Sequence, residues 1–172
     1  MPDHFKIEPL GKNHDRAAFS CGNESLDQYL KNQAGQAAGK NLAAVFILTP
    51  DGKKIAGYYT LSSYAVKFDE IPEEIAKKLT RMREVPATLL GRVARSVEFR
   101  GQGIGVVLLV DALKRALQNS AQVASWAVIV DAIDEEAAEF YKRYAFVPFP
   151  NQANRLFLPM SSIQKMFREE PR

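Results

Sequence analysis

Between residues 88 and 117 an apolar run, a glycine-rich turn and a periodic apolar stripe follow one another without a break. Thr88–Phe99 reads as a buried strand. The turn is Arg100-Gly101-Gln102-Gly103-Ile104-Gly105, and after it Val106, Leu109, Val110, Leu113 and Leu117 recur at three- and four-residue spacing. That spacing lays one apolar stripe along a helix. A strand feeding directly into a helix through glycines is the building unit of mixed α/β domains.

The flanking sequence is consistent with that class. Phe5–Pro9 alternates apolar and polar residues as a first strand does. A helix is expected from the N-cap Asn23 to Gly39, with Leu26, Tyr29, Leu30, Ala34, Ala37 and Ala38 on one face. Leu42–Leu48 and Ile55–Val66, joined through Thr49-Pro50-Asp51-Gly52, predict a hairpin. Pro72 is expected in the first turn of a short helix that Glu73 and Glu74 open. A second strand and helix follow at Trp126–Val130 and Glu135–Tyr144, then strands at Phe146–Phe149 and Leu156–Leu158 and a helix at Ser161–Phe167. With 172 residues and neither a repeat nor a linker, residues 1–172 are expected to form a single domain.

Composition excludes several classes of function. A lone cysteine, Cys21, and two histidines, His4 and His14, leave no Cys/His cluster spaced for zinc, so no metal is expected. No stretch reaches the roughly 18 apolar residues of a membrane span. Met1-Pro2-Asp3-His4 is polar and lacks a signal-peptide apolar core. Cys21 alone can form no intrachain disulfide, so a reducing cytoplasm is the expected location. The net charge of +3 permits an anionic ligand without demanding one.

The glycine loop suits a pyrophosphate. Backbone N–H groups at a helix start lack intrahelical acceptors, and the helix dipole favours negative charge there. Glycines let phosphates approach and permit left-handed dihedrals, while Arg100 adds a fixed positive charge. Without Lys-Ser/Thr after the glycines the P-loop pattern fails, and the full dinucleotide spacing is missing too. Taken alone, such a loop is first read as a strand-to-helix turn that needs positive φ.

More of the chain carries a resemblance. Arg100-x-x-Gly103-x-Gly105, after Leu89–Val97, resembles the coenzyme A motif of the GNAT acetyltransferases. Phe19-x-Cys21-Gly22, Leu26-Asp27-x-Tyr29-Leu30, Gly57-Tyr58-Tyr59-Thr60-Leu61-Ser62, Val85-Pro86-Ala87-x-Leu89-Leu90-Gly91-Arg92, Val130-Asp131-Ala132 and Phe140-Tyr141 are similar to one subgroup. These are the TacT-like toxins of type II toxin–antitoxin systems, which acetylate the amino group of aminoacyl-tRNA. The resemblance implies a mostly antiparallel, splayed sheet flanked by helices, acetyl-CoA as cosubstrate, a ribbon-helix-helix antitoxin and a homodimer. It implies that Val93 and Arg95 pair through their backbone with the pantetheine arm. Arg100, Gly101, Gln102, Gly103, Ile104, Gly105 and Val106 would hold the pyrophosphate, with Asp134, Ala137 and Phe140 along the coenzyme. Tyr141 would be the general acid facing the thioester sulfur. Two departures stand out: Val93-Ala94-Arg95-Ser96 where the family usually reads Leu-Ala-Val-Asp, and Ala145-Phe146 where Gly-Phe is usual.

Direct transfer needs no protein nucleophile. An α-amino group with a pKa of about 7.7–8.0 is partly neutral near pH 7, whereas a lysine near 10.4 would need a stronger base. Without the resemblance Tyr141 is equally readable as a tyrosine packing its helix on the sheet; with it, the catalytic role is favoured. Cys21 reads as a small core residue rather than a nucleophile. Lys31, Lys40, Lys77, Lys78, Arg81, Arg83, Arg92 and Arg95 are candidates to track an RNA backbone, and Arg92 and Arg95 are expected on one face of their strand. The competing readings are an enzyme acetylating a small amine or a protein amine, and a non-catalytic coenzyme A-binding module.

Overall fold

The computed structural model describes residues 4–168, and Met1–Asp3 of the polar N-terminal stretch lie outside them. In chain order the elements are β1 (Lys6–Pro9), α1 (Glu24–Asn32), α2 (Ala34–Gly39), β2 (Ala44–Thr49), β3 (Gly57–Lys67), α3 (Glu73–Ala76), β4 (Glu84–Arg95), α4 (Ile104–Ser120), β5 (Ala127–Asp131), α5 (Glu135–Arg143), β6 (Val147–Phe149), β7 (Gln152–Pro159) and α6 (Met160–Arg168). The mixed α/β class holds. The sheet runs β1-β2-β3-β4-β5-β7-β6. Antiparallel ladders join β1 to β2, β2 to β3, β5 to β7 and β6 to β7, and β4 pairs with β5 in parallel.

Two compact units divide the chain, one holding residues up to Ser62 with Gly91–Ala112, the other Ser63–Leu90 with residues from Leu113 onward. In the first, the expected hairpin pairs Val45 with Thr60 and Ile47 with Tyr58. Its turn is fixed locally: Gly52 has φ of 84°, and the Thr49 hydroxyl accepts its N–H at 2.9 Å. Asn23 caps α1, accepting the N–H of Leu26 at 3.1 Å. Leu26, Tyr29 and Leu30 then pack with Phe19, Val45, Ile47, Tyr58 and Ala94. Each fully buried leucine in such a cluster contributes about 1.5–3 kcal/mol. The Tyr58 hydroxyl is satisfied there by donating to the Leu26 carbonyl at 2.6 Å.

The second unit builds its core from Val66, Val85, Ala87, Ile129, Phe149 and Phe157. Trp126 stacks on Phe157 with ring centroids 5.4 Å apart. Here Val85 and Ala87 are buried while Pro86 between them is exposed, the period-two signature of a strand with one covered face.

Several boundaries, and the buried face of one helix, differ from expectation. The helix after Asn23 breaks at Gln33, whose φ of −124° and ψ of −33° leave the α region and divide α1 from α2. Pro72 is the N-cap residue of α3 rather than part of its first turn, with extended ψ of 135°. β4 begins at Glu84 and stops at Arg95, not Phe99, because the Ser96 side chain accepts the N–H of Glu98 at 3.3 Å and turns the chain into a 3₁₀ turn over Val97–Phe99. On α4 the buried residues are Ile104, Leu108, Leu109, Ala112, Leu113 and Ala116, whereas Val106, Val110 and Leu117 are half-buried. So many residues of this helix are apolar that several stripes fit its sequence, and packing selects one.

Candidate active site

The loop after β4 is a preformed cradle. Gly101 and Gly103 have φ of 76° and 72°, in the left-handed region where a Cβ is disfavoured. A Cβ at either would meet nothing within 4 Å, so these glycines are required by dihedral, and the space above them is open. The first α4 hydrogen bond runs from Val107 N–H to the Gly103 carbonyl at 3.2 Å. Ile104, Gly105 and Val106 therefore present first-turn N–H groups with no intrahelical acceptor. Gly101, Gln102 and Gly103 are exposed, and Ile104 is fully buried and anchors the turn. Two further bonds hold the approach to the loop: Val97 N–H to the Ser20 carbonyl and Ser96 N–H to the Ala56 carbonyl, both 2.8 Å. Exposed Arg100 leans back, its Nη2 lying 3.9 Å from where a Gly22 Cβ would stand.

Gly57 shapes this cradle, although the sequence pattern assigns it no part in the site. A Cβ there would come within 2.8 Å of Leu108 Cδ1, 2.9 Å of the Ala94 carbonyl oxygen and 3.1 Å of Ile104 Cγ2. Its absence lets the first turns of α4 rest directly on the strand. A glycine inside a strand pattern is the signal that marks such an approach.

Within β4, Ser96 N–H and the Ala94 carbonyl lie toward the start of β3. Successive strand residues present their amides to opposite edges, so Val93 and Arg95 direct N–H and C=O groups to the other edge. The parallel register with β5 covers Thr88↔Val128 to Leu90↔Val130, and β4 continues to Arg95.

Arg92 and Arg95 do not share a face, contrary to expectation. The Arg92 guanidinium carbon lies 3.6 Å over the Tyr29 ring, and Ala94 belongs to the same cluster as Tyr29. Residues three apart on a strand of period two point to opposite sides. Lys31 belongs to the same unit as these arginines. Lys77, Lys78, Arg81 and Arg83 are exposed in the other, in the segment between α3 and β4.

In that second unit α5 carries the remaining candidates. Asp134 caps it, accepting the Ala137 N–H at 2.8 Å. The helix ends in a Schellman arrangement: Ala145 N–H bonds the Lys142 carbonyl at 3.1 Å and Phe146 N–H the Tyr141 carbonyl at 3.2 Å. Phe146 then packs edge-on against Tyr141 at 5.4 Å, the apolar contact that accompanies this motif. The Phe140 ring also meets Tyr141 edge-on, at 5.4 Å. Tyr141 is only 7% exposed, and burial pushes its hydroxyl above the usual phenol range, so it stays protonated. Burial, reinforced by Asp27, pushes the Cys21 thiol up to about 11. A thiol so protonated is no nucleophile at neutral pH.

Residues 12–146 match the acetyltransferase (GNAT) family model. The chain is 31% identical to a probable toxin TacT of Sinorhizobium fredii, over 93% of each protein. A solved structure of AtaT complexed with acetyl-methionyl-tRNAfMet is 28% identical with a TM-score of 0.88, covering 95% of this chain and 99% of that one. A second, of a mutant AtaT toxin bound to the C-terminus of the antitoxin AtaR and acetyl-CoA, is 28% identical with a TM-score of 0.81, covering 97% and 100%. A glycine cradle at the start of α4, a capped helix carrying a buried tyrosine, and relatives spanning almost the whole chain lead to one conclusion: this protein belongs to the GNAT acetyltransferase family, among the TacT-like toxins.

Proposed function

We propose that this protein transfers the acetyl group of acetyl-CoA to the α-amino group of an aminoacyl-tRNA and so blocks translation. The observation that carries the reading is the cradle: left-handed Gly101 and Gly103 with open space above them, followed by first-turn amides of α4 that have no intrahelical acceptor. Two linked phosphates match it in charge and donor geometry. The acetyl-methionyl-tRNA held by AtaT, itself an α-N-acetylated aminoacyl-tRNA, supplies the acceptor class.

In this reading the amides of Gly101–Val106 hold the pyrophosphate, with the Arg100 side chain beside them. The outward N–H and C=O groups of Val93 and Arg95 pair with the amides of the pantetheine arm as an added strand would. Asp134, Ala137 and Phe140 line the coenzyme. The neutral amine attacks the thioester carbonyl carbon, giving a tetrahedral oxyanion. Its collapse breaks the C–S bond, and Tyr141 donates a proton to the departing sulfur. The ammonium proton formed on the attacking nitrogen leaves to solvent, and Tyr141 is reprotonated from the same source. Lys31, Arg92, Lys77, Lys78, Arg81 and Arg83 contact RNA phosphates. The active form is a homodimer, restrained by an antitoxin with a ribbon-helix-helix DNA-binding part; the AtaR segment bound to AtaT supports a protein antitoxin.

A translating extract tests this. Wild-type protein with acetyl-CoA arrests synthesis and leaves N-acetylated aminoacyl-tRNA, while protein without acetyl-CoA does neither. Tyr141→Phe binds coenzyme A normally and transfers acetyl about 10²–10⁴-fold more slowly. Continued translation with acetylated small amines as the only product would favour the small-amine enzyme.

A further inference from the structure

Arg95 ends β4, and its Nε is buried without a hydrogen-bond partner among the described residues. A guanidinium stays charged at any working pH and offers five donors in a fixed fork. Leaving one of them buried and unmet carries the full desolvation penalty of that donor, larger for a charged group than for a neutral one. Its surroundings increase that cost. Ala94 points into the cluster of Tyr58 and Leu26, so strand alternation puts the Arg95 side chain on the opposite face. That is the face of Gly57, where Ile104 and Leu108 of α4 rest. The start of a helix carries about half a positive charge, so the protein's own field opposes a cation there. Glu98, three residues on in the chain, has its carboxylate engaged by Lys54 at 3.0 Å. A fixed cation, a helix start and a glycine cradle thus converge on one stretch, and a bound anion would relieve all three.

We propose that the Arg95 side chain is a ligand of the coenzyme's diphosphate, gripping through its guanidinium what the Gly101–Val106 amides grip through the backbone. The assignment rests on the acetyl-CoA reading above and adds a contact to it. A partly buried guanidinium on the face covered by α4 suits a small, deeply seated anion. The exposed Lys77, Lys78 and Arg81 are the better match for an RNA backbone.

Comparing acyl donors with and without phosphates isolates the contact. Arg95→Met is expected to raise the KM for acetyl-CoA, and the calorimetric Kd for coenzyme A, at least about tenfold, the weight of one charge-assisted bond. The Kd for 3′-dephospho-coenzyme A should rise by the same factor, since the diphosphate is intact in both. With acetyl-pantetheine, a thioester carrying no phosphate, kcat/KM should stay within about twofold of wild type. Equal losses with acetyl-CoA and acetyl-pantetheine would show a purely structural arginine and overturn the proposal. A loss confined to the 3′-phosphate, or to the KM for tRNA, would overturn it as well. If Arg95→Met does not fold, Arg95→Lys serves: it keeps the charge but not the fork, and its smaller loss should again be restricted to phosphate-bearing donors. Wild-type protein that fails to bind coenzyme A would instead sink the acetyl-CoA reading itself, before any variant is compared.

Discussion

At the scale of single residues, the candidate acid is held by the way its own helix ends. Tyr141 lies three residues before the cap of α5, and Phe146, two residues past the cap, closes on its ring. Between them Ala145 takes φ of 74°, where glycine is the strain-free residue. A left-handed alanine costs about 1–2 kcal/mol, and glycine returns part of that through its larger unfolded-state entropy. Ala145→Gly should therefore stabilise the protein by about 0.5–1 kcal/mol, read as a higher urea midpoint at unchanged m; a lower midpoint would contradict the strain. The pH profile follows from the direction of the Tyr141 shift. A general acid works while protonated, and burial keeps this phenol protonated beyond its usual range. The acceptor amine must be neutral, so kcat/KM should climb with unit slope up to about pH 7.7–8.0 and then stay level to about pH 10. A fall with an apparent pKa near 9 would assign the proton to another group. Cys21 contributes no limb, since its thiol is pushed up to about 11 by burial and Asp27.

Among the elements, α4 depends on what lies beneath it. Its first turn can serve a phosphate only while Ile104 and Leu108 rest on Gly57. Gly57→Ala sets a Cβ 2.9 Å from the Ala94 carbonyl oxygen, a backbone atom with little freedom to move. It should cost about 1–3 kcal/mol of stability and weaken coenzyme A binding together with it. Gly39 is the control: at the end of α2, a Cβ would meet nothing within 4 Å, and alanine there should leave both stability and coenzyme binding near wild type. Equal effects at the two positions would remove the close approach as the cause. Gly103→Val acts differently, since no protein atom obstructs its Cβ; it forces a β-branched residue into a left-handed dihedral and fills the space a phosphate would take.

For the molecule as a whole, charge decides between acceptors. A net charge of +3 is too small to bind RNA by bulk attraction, so any RNA affinity must come from local cations. Reversing Arg81 or Lys78, both exposed, should raise the KM for aminoacyl-tRNA. It should also lower the slope of log affinity against log salt by about 0.7–0.9 for each phosphate that is no longer neutralised. Acetyl transfer to a small amine should be untouched. An unchanged slope would remove that segment from the RNA interface.

What was legible in the amino-acid order is whatever a few neighbouring residues decide. The Asn23 cap, the Thr49–Gly52 turn, the left-handed glycines and the helix start after Gly103 all stand in the structure where local chemistry demands them. Alternation along β4 was equally legible, and read strictly it already separates Arg92 from Arg95. Two boundaries are just as local yet carry no periodic signal: Gln33 breaks a continuous apolar pattern, and Ser96 ends β4 by accepting the N–H of Glu98, two residues on. Other features depend on partners distant in the chain. The strand order, the register of β4 with β5 through Leu90↔Val130, and the face of α4 that is buried are long-range choices. Packing alone makes them, because a mostly apolar helix or strand leaves its own orientation undetermined until another surface closes on it.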